Sequence, residues 1–396
     1  MTNGFVDLED TILKKVDELG DSMIESIREL VRIGSVEEEA EPDMPFGCGV
    51  RDALHKALSI SESLGFSTVN LENHIGYAQY GRGEDYVCAI GHVDVVPVGE
   101  GWVHPPFSAY MENGTIYGRG VLDNKGPVLA CLYGLAALKE LELPMKHPVR
   151  IIFGCDEESG FEDLTYYLSK ERPPVYGFTP DCKYPVVYSE RGRAKLRIDG
   201  NAADLERFFS FVNTYFIGAK NTGDRLGIDY SNPEYGIMEM RGYELHADGC
   251  EEPAADACDV PQAGQAKAGR VSFHVTLSYP LGITIDEIVA RVEAKASPEG
   301  LSVALLHNYD PVVFEKDSPM VRALQESYEK VTGMDGTPVT TTGGTYAKAM
   351  PGIVPFGPSF PGQKGIGHNP NEWMTVEDLI TNAKIYALAL YKLAQL

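Results

Sequence analysis

Apolar residues return every three or four positions from Ile12 to Val31 and again from about Val50 to Leu64, the spacing of amphipathic helices. The acidic, proline-bearing stretch 34–47 between them reads as a loop. STVNLEN (67–73), IGYAQY (75–80) and YVCAIGHVDVV (86–96) alternate or are wholly apolar, which predicts strands, the last of them central in a sheet. Residues 101–120 are glycine-rich and aromatic and predict loops with a short hairpin about Asn113-Gly114. A helical pattern runs from about Pro127 to Glu140. It is followed by the strand VRIIFGCDEESG (149–160), a short helix FEDLTYYLSK (161–170) and the strand VYGFTPD (175–181). This alternation predicts an α/β fold: a mostly parallel central sheet with helices on both faces. Open sheets of that kind place their sites at the carboxyl ends of the strands.

The pattern then changes. Residues 193–306 hold an alternating strand (AKLRID), a helix from about Ala202 to Ile217, and a loop-rich acidic tract from Asn221 to Gly269. The strand RVSFHVTLSY and the helix TIDEIVARVEAKA follow. This predicts a smaller α+β domain, 196–308, inserted between the two parts of a larger one, 1–195 and 309–396. The second part carries a helix over Pro319–Thr332, the glycine-rich TTGGTYAKAMPG, the loop GIGHNPNEW and a terminal helix capped by Thr375 with Asp378 three residues on.

Composition narrows the classes. The chain is 43% hydrophobic and 10% aromatic, enough for packed cores. Lys and Arg number 34 against 58 Asp and Glu, a formal charge of −24, which repels nucleic acid and anionic lipid. No run approaches about 18 uninterrupted apolar residues, and the first residues lack the pattern of a secretory leader. The seven cysteines are scattered, several in apolar runs, and make no CxxC pair. That usage predicts reduced, mostly buried thiols in a cytoplasmic protein.

The candidate chemistry lies at the predicted strand ends. His92 and Asp94 form an HxD with both side chains on one face. Asp123 occupies a glycine-flanked turn, Glu157 and Glu158 close one strand, Asp181 closes another, and His368 lies in GIGHNPNE. Each alone is a weak signal. Together, two imidazoles and several carboxylates at one sheet edge suit two ions of Zn²⁺, Mn²⁺ or Co²⁺, with one carboxylate bridging. One of the paired glutamates can ligate while its neighbour acts as base, and Asp94 can orient His92. Nucleophilic catalysis has no G-x-S-x-G elbow to support it, and Cys155 reads as a buried strand thiol.

The segments MPFGCGVRDALHKAL, GHVDVVPVGEGWVHPPFSAYMENGTIYGRGVLDNKGP, FGCDEESGFEDLTYYL, GFTPDCKYPVVYSERG and GGTYAKAMPGIVPFGPSFPGQKGIGHNPNEWM resemble the M20 metallopeptidases, within them the PepV-like dipeptidases of bacteria. The resemblance implies a zinc-peptidase-like catalytic domain with an inserted lid. It implies that His92 and Asp181 hold one divalent ion, Glu158 and His368 the other, and that Asp123 bridges both. Glu157 is then general base and acid, with Asp94 supporting His92. Zn²⁺ is the first choice of metal, and Mn²⁺ and Co²⁺ are compatible. The implied substrates are dipeptides or very short peptides, with N-acyl amino acids as the alternative. Gly343, Gly344, Thr345 and Lys348 stand where the family meets a substrate end. The precedents for a monomer and for a homodimer both exist, so oligomeric state stays open.

The inserted domain departs from its relatives. Gly200 runs directly into NAADLERFFSFVN, without the family's Asn-x-Val-Pro-Asp run and its lid histidine; His246 and His274 stand in neither motif. Ser278 occupies the place of an arginine, and Lys348 that of another. Three readings follow: an active hydrolase of altered specificity, a metal-binding relative of reduced activity that binds a ligand or partner, or an incomplete lid.

Overall fold

The computed structural model describes residues 7–248 and 269–396. These separate into two compact units. The larger comprises the chain up to Tyr188 with Phe314–Val339 and Thr345–Leu396; the smaller comprises Ser189–Val313 with Thr340–Gly344.

The larger unit is built on a six-stranded sheet in the order Ser67–Leu71, Ile75–Tyr80, Val149–Gly154, Val87–His92, Tyr176–Thr179, Ile353–Pro355. The four strands from Val149–Gly154 onward run parallel; Ile75–Tyr80 joins them antiparallel, and Ser67–Leu71 pairs antiparallel with it at the edge. Val87–His92 and Val149–Gly154 are buried at every position, as expected of central strands covered on both faces. The helix Lys125–Glu140 is apolar on all sides, with Leu129, Leu132, Leu135 and Leu138 inaccessible to solvent. It packs against the helices Leu8–Val31 and Val376–Ala394, which is why its pattern lacks a polar stripe. Thr375 caps the terminal helix by accepting from the Asp378 N–H at 2.9 Å. The predicted hairpin is present, with Asn113 and Gly114 both at positive φ between Tyr110–Glu112 and Thr115–Tyr117.

The smaller unit is a four-stranded antiparallel sheet in the order Glu239–Asp248, Arg270–Tyr279, Gly192–Asn201, Ser302–Tyr309. One face buries Leu196, Ile198, Phe273, Val275 and Leu277 against Phe208 and Phe211 of the helix Leu205–Val212 and against Ile288 and Val292 of the helix Ile285–Ala296. Thr284 and Glu287 close a capping box on the latter. The tract read as loop-rich and acidic contains the ten-residue strand Glu239–Asp248, which the sequence pattern did not reveal. The rest of that tract, 249–268, lies outside the described residues, as do Cys250 and Cys258. The helix expected over Ala202–Ile217 is a 3₁₀ turn, an α-helix over Leu205–Val212 and a single π turn over Asn213–Ile217. The join after Gly200 is tightly packed: a Cβ there would stand 2.6 Å from the Phe208 ring and 3.0 Å from Leu301.

Among the other cysteines, Cys88, Cys131 and Cys155 are buried, Cys182 is half-buried and Cys48 is exposed. Among the described residues no helix is long and apolar enough to cross a membrane.

Candidate metal centre

Three parallel strands deliver the site. His92 is the last residue of its strand and pairs in register with Gly154, so the chain that leaves Gly154 carries Glu157 and Glu158 along the same edge. Asp181 follows the strand Tyr176–Thr179 at that edge too. Asp123 comes from the turn before Lys125–Glu140, and His368 from a loop residue at φ +60°.

The side chains converge in two groups that share one carboxylate. His92 Nε2 lies 3.1 Å from Asp123 Oδ1 and 3.8 Å from Asp181 Oδ2. On the other side, His368 Nε2 lies 3.0 Å from Asp123 Oδ2 and 3.0 Å from Glu158 Oε1. Zinc-type bonds of about 2.0–2.2 Å set neighbouring donors roughly 3.3 Å apart, and these spacings bracket that value. The same two triads are those whose donor atoms lie mutually within 4.8 Å.

Asp94 orients both groups. Its backbone carbonyl lies 3.0 Å from His92 Nδ1 and its Oδ1 lies 3.3 Å from the same nitrogen, which leaves Nε2 to face the carboxylates. Its Oδ2 accepts from the Glu158 N–H at 3.0 Å. One buried carboxylate therefore fixes a ring and a backbone turn.

The electrostatics call for cations. Burial lowers the affinity of His92 for a proton, yet Asp94 and Asp123 outweigh it and hold the ring well above its ordinary pKa. Hydrogen bonds to Asp123 and Glu158 push His368 up to about 10. Burial raises Asp123, but His368 and His92 hold it far below the usual carboxylate range. Burial, and after it Asp181, pushes Glu157 well above its ordinary value; burial and Asp123 do the same to Asp181. Protons substitute here for the positive charge that an N/O ligand set of this kind is suited to bind as divalent metal.

Two further buried carboxylates shape the loops, and neither stood out in the sequence. Glu372 Oε1 accepts from the N–H groups of Gly120, Leu122 and Asp123 at 3.1, 2.9 and 3.1 Å, while its Oε2 pairs with Arg119 at 2.9 Å. Asp163 Oδ2 accepts from the N–H groups of Cys155 and Asp156 at 2.7 and 3.2 Å and from the Tyr346 hydroxyl. Tyr346 stands so close behind the sheet that a Cβ on Gly154 would fall 1.9 Å from its oxygen, so only glycine fits. Asn124 donates to the Pro180 carbonyl at 2.6 Å and ties the Asp123 turn to the Asp181 strand end.

The candidates for a substrate end are placed as follows. Gly343 and Gly344 group with the smaller unit, where the Arg191 N–H donates to the Thr341 carbonyl at 3.3 Å. Thr345 uses its hydroxyl to cap the turn Tyr346–Lys348, accepting from the Ala347 N–H at 3.1 Å. Lys348 is half-buried at the end of that turn.

The sequence profile of Peptidase family M20/M25/M40 matches residues 88–392. The chain belongs to this family. It is 31% identical over 464 residues to YtjP of Bacillus subtilis (strain 168), a dipeptidase by inference only, with 98% of this chain and 99% of that protein covered. It is 28% identical over 456 residues to the Beta-Ala-Xaa dipeptidase of Lactobacillus delbrueckii subsp. lactis, covering 95% and 96%. The first alignment is longer than this 396-residue chain, so that relative carries segments absent here. Human carnosine dipeptidase 1 shares the fold with a TM-score of 0.70 at 17% identity, over 98% of this chain and 99% of that one. Dug1p of Saccharomyces cerevisiae shares it at 0.71 and 15%, over 98% of each. The chain is thus a metallopeptidase of the M20 family, with a donor set that accommodates a dinuclear centre.

Proposed function

We propose that this M20 protein hydrolyses the peptide bond of dipeptides or very short peptides, with His92, Asp123 and Asp181 holding one divalent ion and Asp123, Glu158 and His368 the other. The observation that carries the reading is the position of Asp123, whose Oδ1 lies 3.1 Å from one histidine and whose Oδ2 lies 3.0 Å from the other. Divalent ions held there lower the pKa of water and polarise a carbonyl.

The chain's own groups supply the rest. Glu157 adjoins a ligand and lies among Asp181, His92, Glu158 and Asp123 without joining either triad. It takes a proton from water and returns it to the leaving amine, a task suited to a carboxyl whose proton affinity burial has raised. Asp94 holds His92 in one tautomer and anchors Glu158. Thr345, Lys348, Gly343 and Gly344 are the candidates for contact with a substrate end. That one relative is a Beta-Ala-Xaa dipeptidase supports the peptide reading over N-acyl amino acids for this chain.

The test is hydrolysis of a panel of α-dipeptides, β-alanyl dipeptides, tripeptides and N-acyl amino acids by metal-stripped protein reloaded with Zn²⁺, Mn²⁺ or Co²⁺. The expected outcome is turnover of dipeptides with little on longer peptides. Turnover confined to N-acyl amino acids, or none with two ions bound per chain, overturns the reading.

A further inference from the structure

The open face of the smaller unit's sheet carries a second histidine cluster that peptide hydrolysis does not use. Glu244 and His246 are two residues apart on one strand and so share a face. Register places Glu244 opposite His274 and His246 opposite Ser272 on the neighbouring strand. The donor atoms converge on one oxygen: His246 Nε2 is 3.3 Å from Glu244 Oε2, and His274 Nδ1 is 3.8 Å from it. The two rings lie with centroids 4.3 Å apart. All three donors fall within 4.8 Å of one another, which among the described residues is otherwise true of the two groups that share Asp123.

Three features go beyond proximity. One spacing matches the roughly 3.3 Å between neighbouring donors on a tetrahedral zinc-type ion, and the other, 3.8 Å, equals the longest in the Asp123 centre. Ser272 Oγ lies 3.3 Å from His274 Nε2, which gives that nitrogen a partner and leaves Nδ1 facing Glu244, the way ligating imidazoles are oriented. Register across adjacent antiparallel strands, rather than flexible loops, fixes the backbone of all three residues.

The charges around the cluster favour a neutral ring beside an ionised carboxylate. The Lys195 ammonium, 2.9 Å from both Glu244 oxygens, and then His246 hold that carboxyl below its ordinary pKa. Burial, then His246 and Lys195, lowers His274. Arg197 stands opposite His274 on the third strand, where Asp199 engages it at 3.0 Å.

We infer that Glu244, His246 and His274 form a peripheral site for one first-row divalent cation of the zinc type, separate from the centre built on Asp123. The imidazole and carboxylate set selects such ions over Ca²⁺ or Mg²⁺. A cation there ties the edge strand Glu239–Asp248 to its neighbour and stabilises the smaller unit by mass action. Lys195 competes for the same carboxylate and sets the affinity.

The experiment equilibrates the full chain with excess Zn²⁺ and counts zinc per chain by mass spectrometry, for wild type and for His246→Asn/His274→Asn. The expected result is one fewer zinc in the double variant, with dipeptide hydrolysis unchanged. Lys195→Met is expected to bind the additional ion more tightly. Equal counts in wild type and variant overturn the inference, and so does a lost zinc accompanied by lost turnover, which assigns that ion to the centre on Asp123. Should the double variant fold poorly, His246→Asn alone, at a half-exposed position, gives the same comparison.

Discussion

Glu157 and Glu158 are adjacent in the chain and differ only in what faces them. Glu158 meets His368 at 3.0 Å, whereas Glu157 belongs to neither triad. Glu157→Gln is expected to reduce turnover by about 10²–10⁴-fold, the range of a general acid–base group, with the metal content of the protein unchanged. Loss of metal together with activity would instead make Glu157 a ligand. Asp94→Asn removes the carboxylate that orients His92 and anchors Glu158, and is expected to weaken metal affinity by about 10–100-fold in a chelator competition. Why these residues stand out in the sequence, and others do not, is a matter of residue type. Histidines and carboxylates at strand ends are rare enough in combination to be noticed. Glu372 and Asp163 are carboxylates among 58, and only their burial against backbone N–H groups distinguishes them.

At the scale of elements, the turn that presents Asp123 hangs on Glu372. Glu372→Ala leaves Arg119 buried without its carboxylate and frees three N–H groups, and is expected to cost about 3–5 kcal/mol in urea denaturation. A cost below about 1 kcal/mol would show that water replaces the carboxylate. The elements themselves were legible wherever one period held. The central strands are apolar over most of their length and the amphipathic helices keep their stripe. The edge strands of the smaller sheet were not legible, for a local reason in each. Glu239–Asp248 shifts register between Arg241 and Tyr243, with Gly242 between them, so its polar face, Glu239 and Arg241 before the shift and Glu244 and His246 after it, breaks the alternation. Ser302–Tyr309 pairs across a register shift at Lys195/Leu196, and its run Ala304-Leu305-Leu306 carries no alternation.

For the molecule as a whole, the centre couples metal loading to protons. Without metal, His368 has its pKa pushed up to about 10, which keeps its ring protonated at neutral pH, and Asp94 and Asp123 raise the proton affinity of His92. Metal can occupy His368 only by displacing that proton. Loading at pH 7 is therefore expected to release about one proton or more per chain, measured by calorimetry in buffers of different ionisation heat. Acidification favours the protonated rings and expels metal; a release near zero would remove His368 from the ligand set. Chelation is likewise expected to lower the thermal midpoint, because bound ions stabilise only the folded form.

The shared carboxylate also gives the centre a chronology. His92, Asp123 and Asp181 all precede the smaller unit, whereas His368 follows it. During synthesis the three residues of one triad have all emerged by residue 181, yet Glu372, on which the Asp123 turn hangs, follows even His368. Neither half of the centre is therefore fixed until the last part of the chain has emerged, and the two halves are completed together.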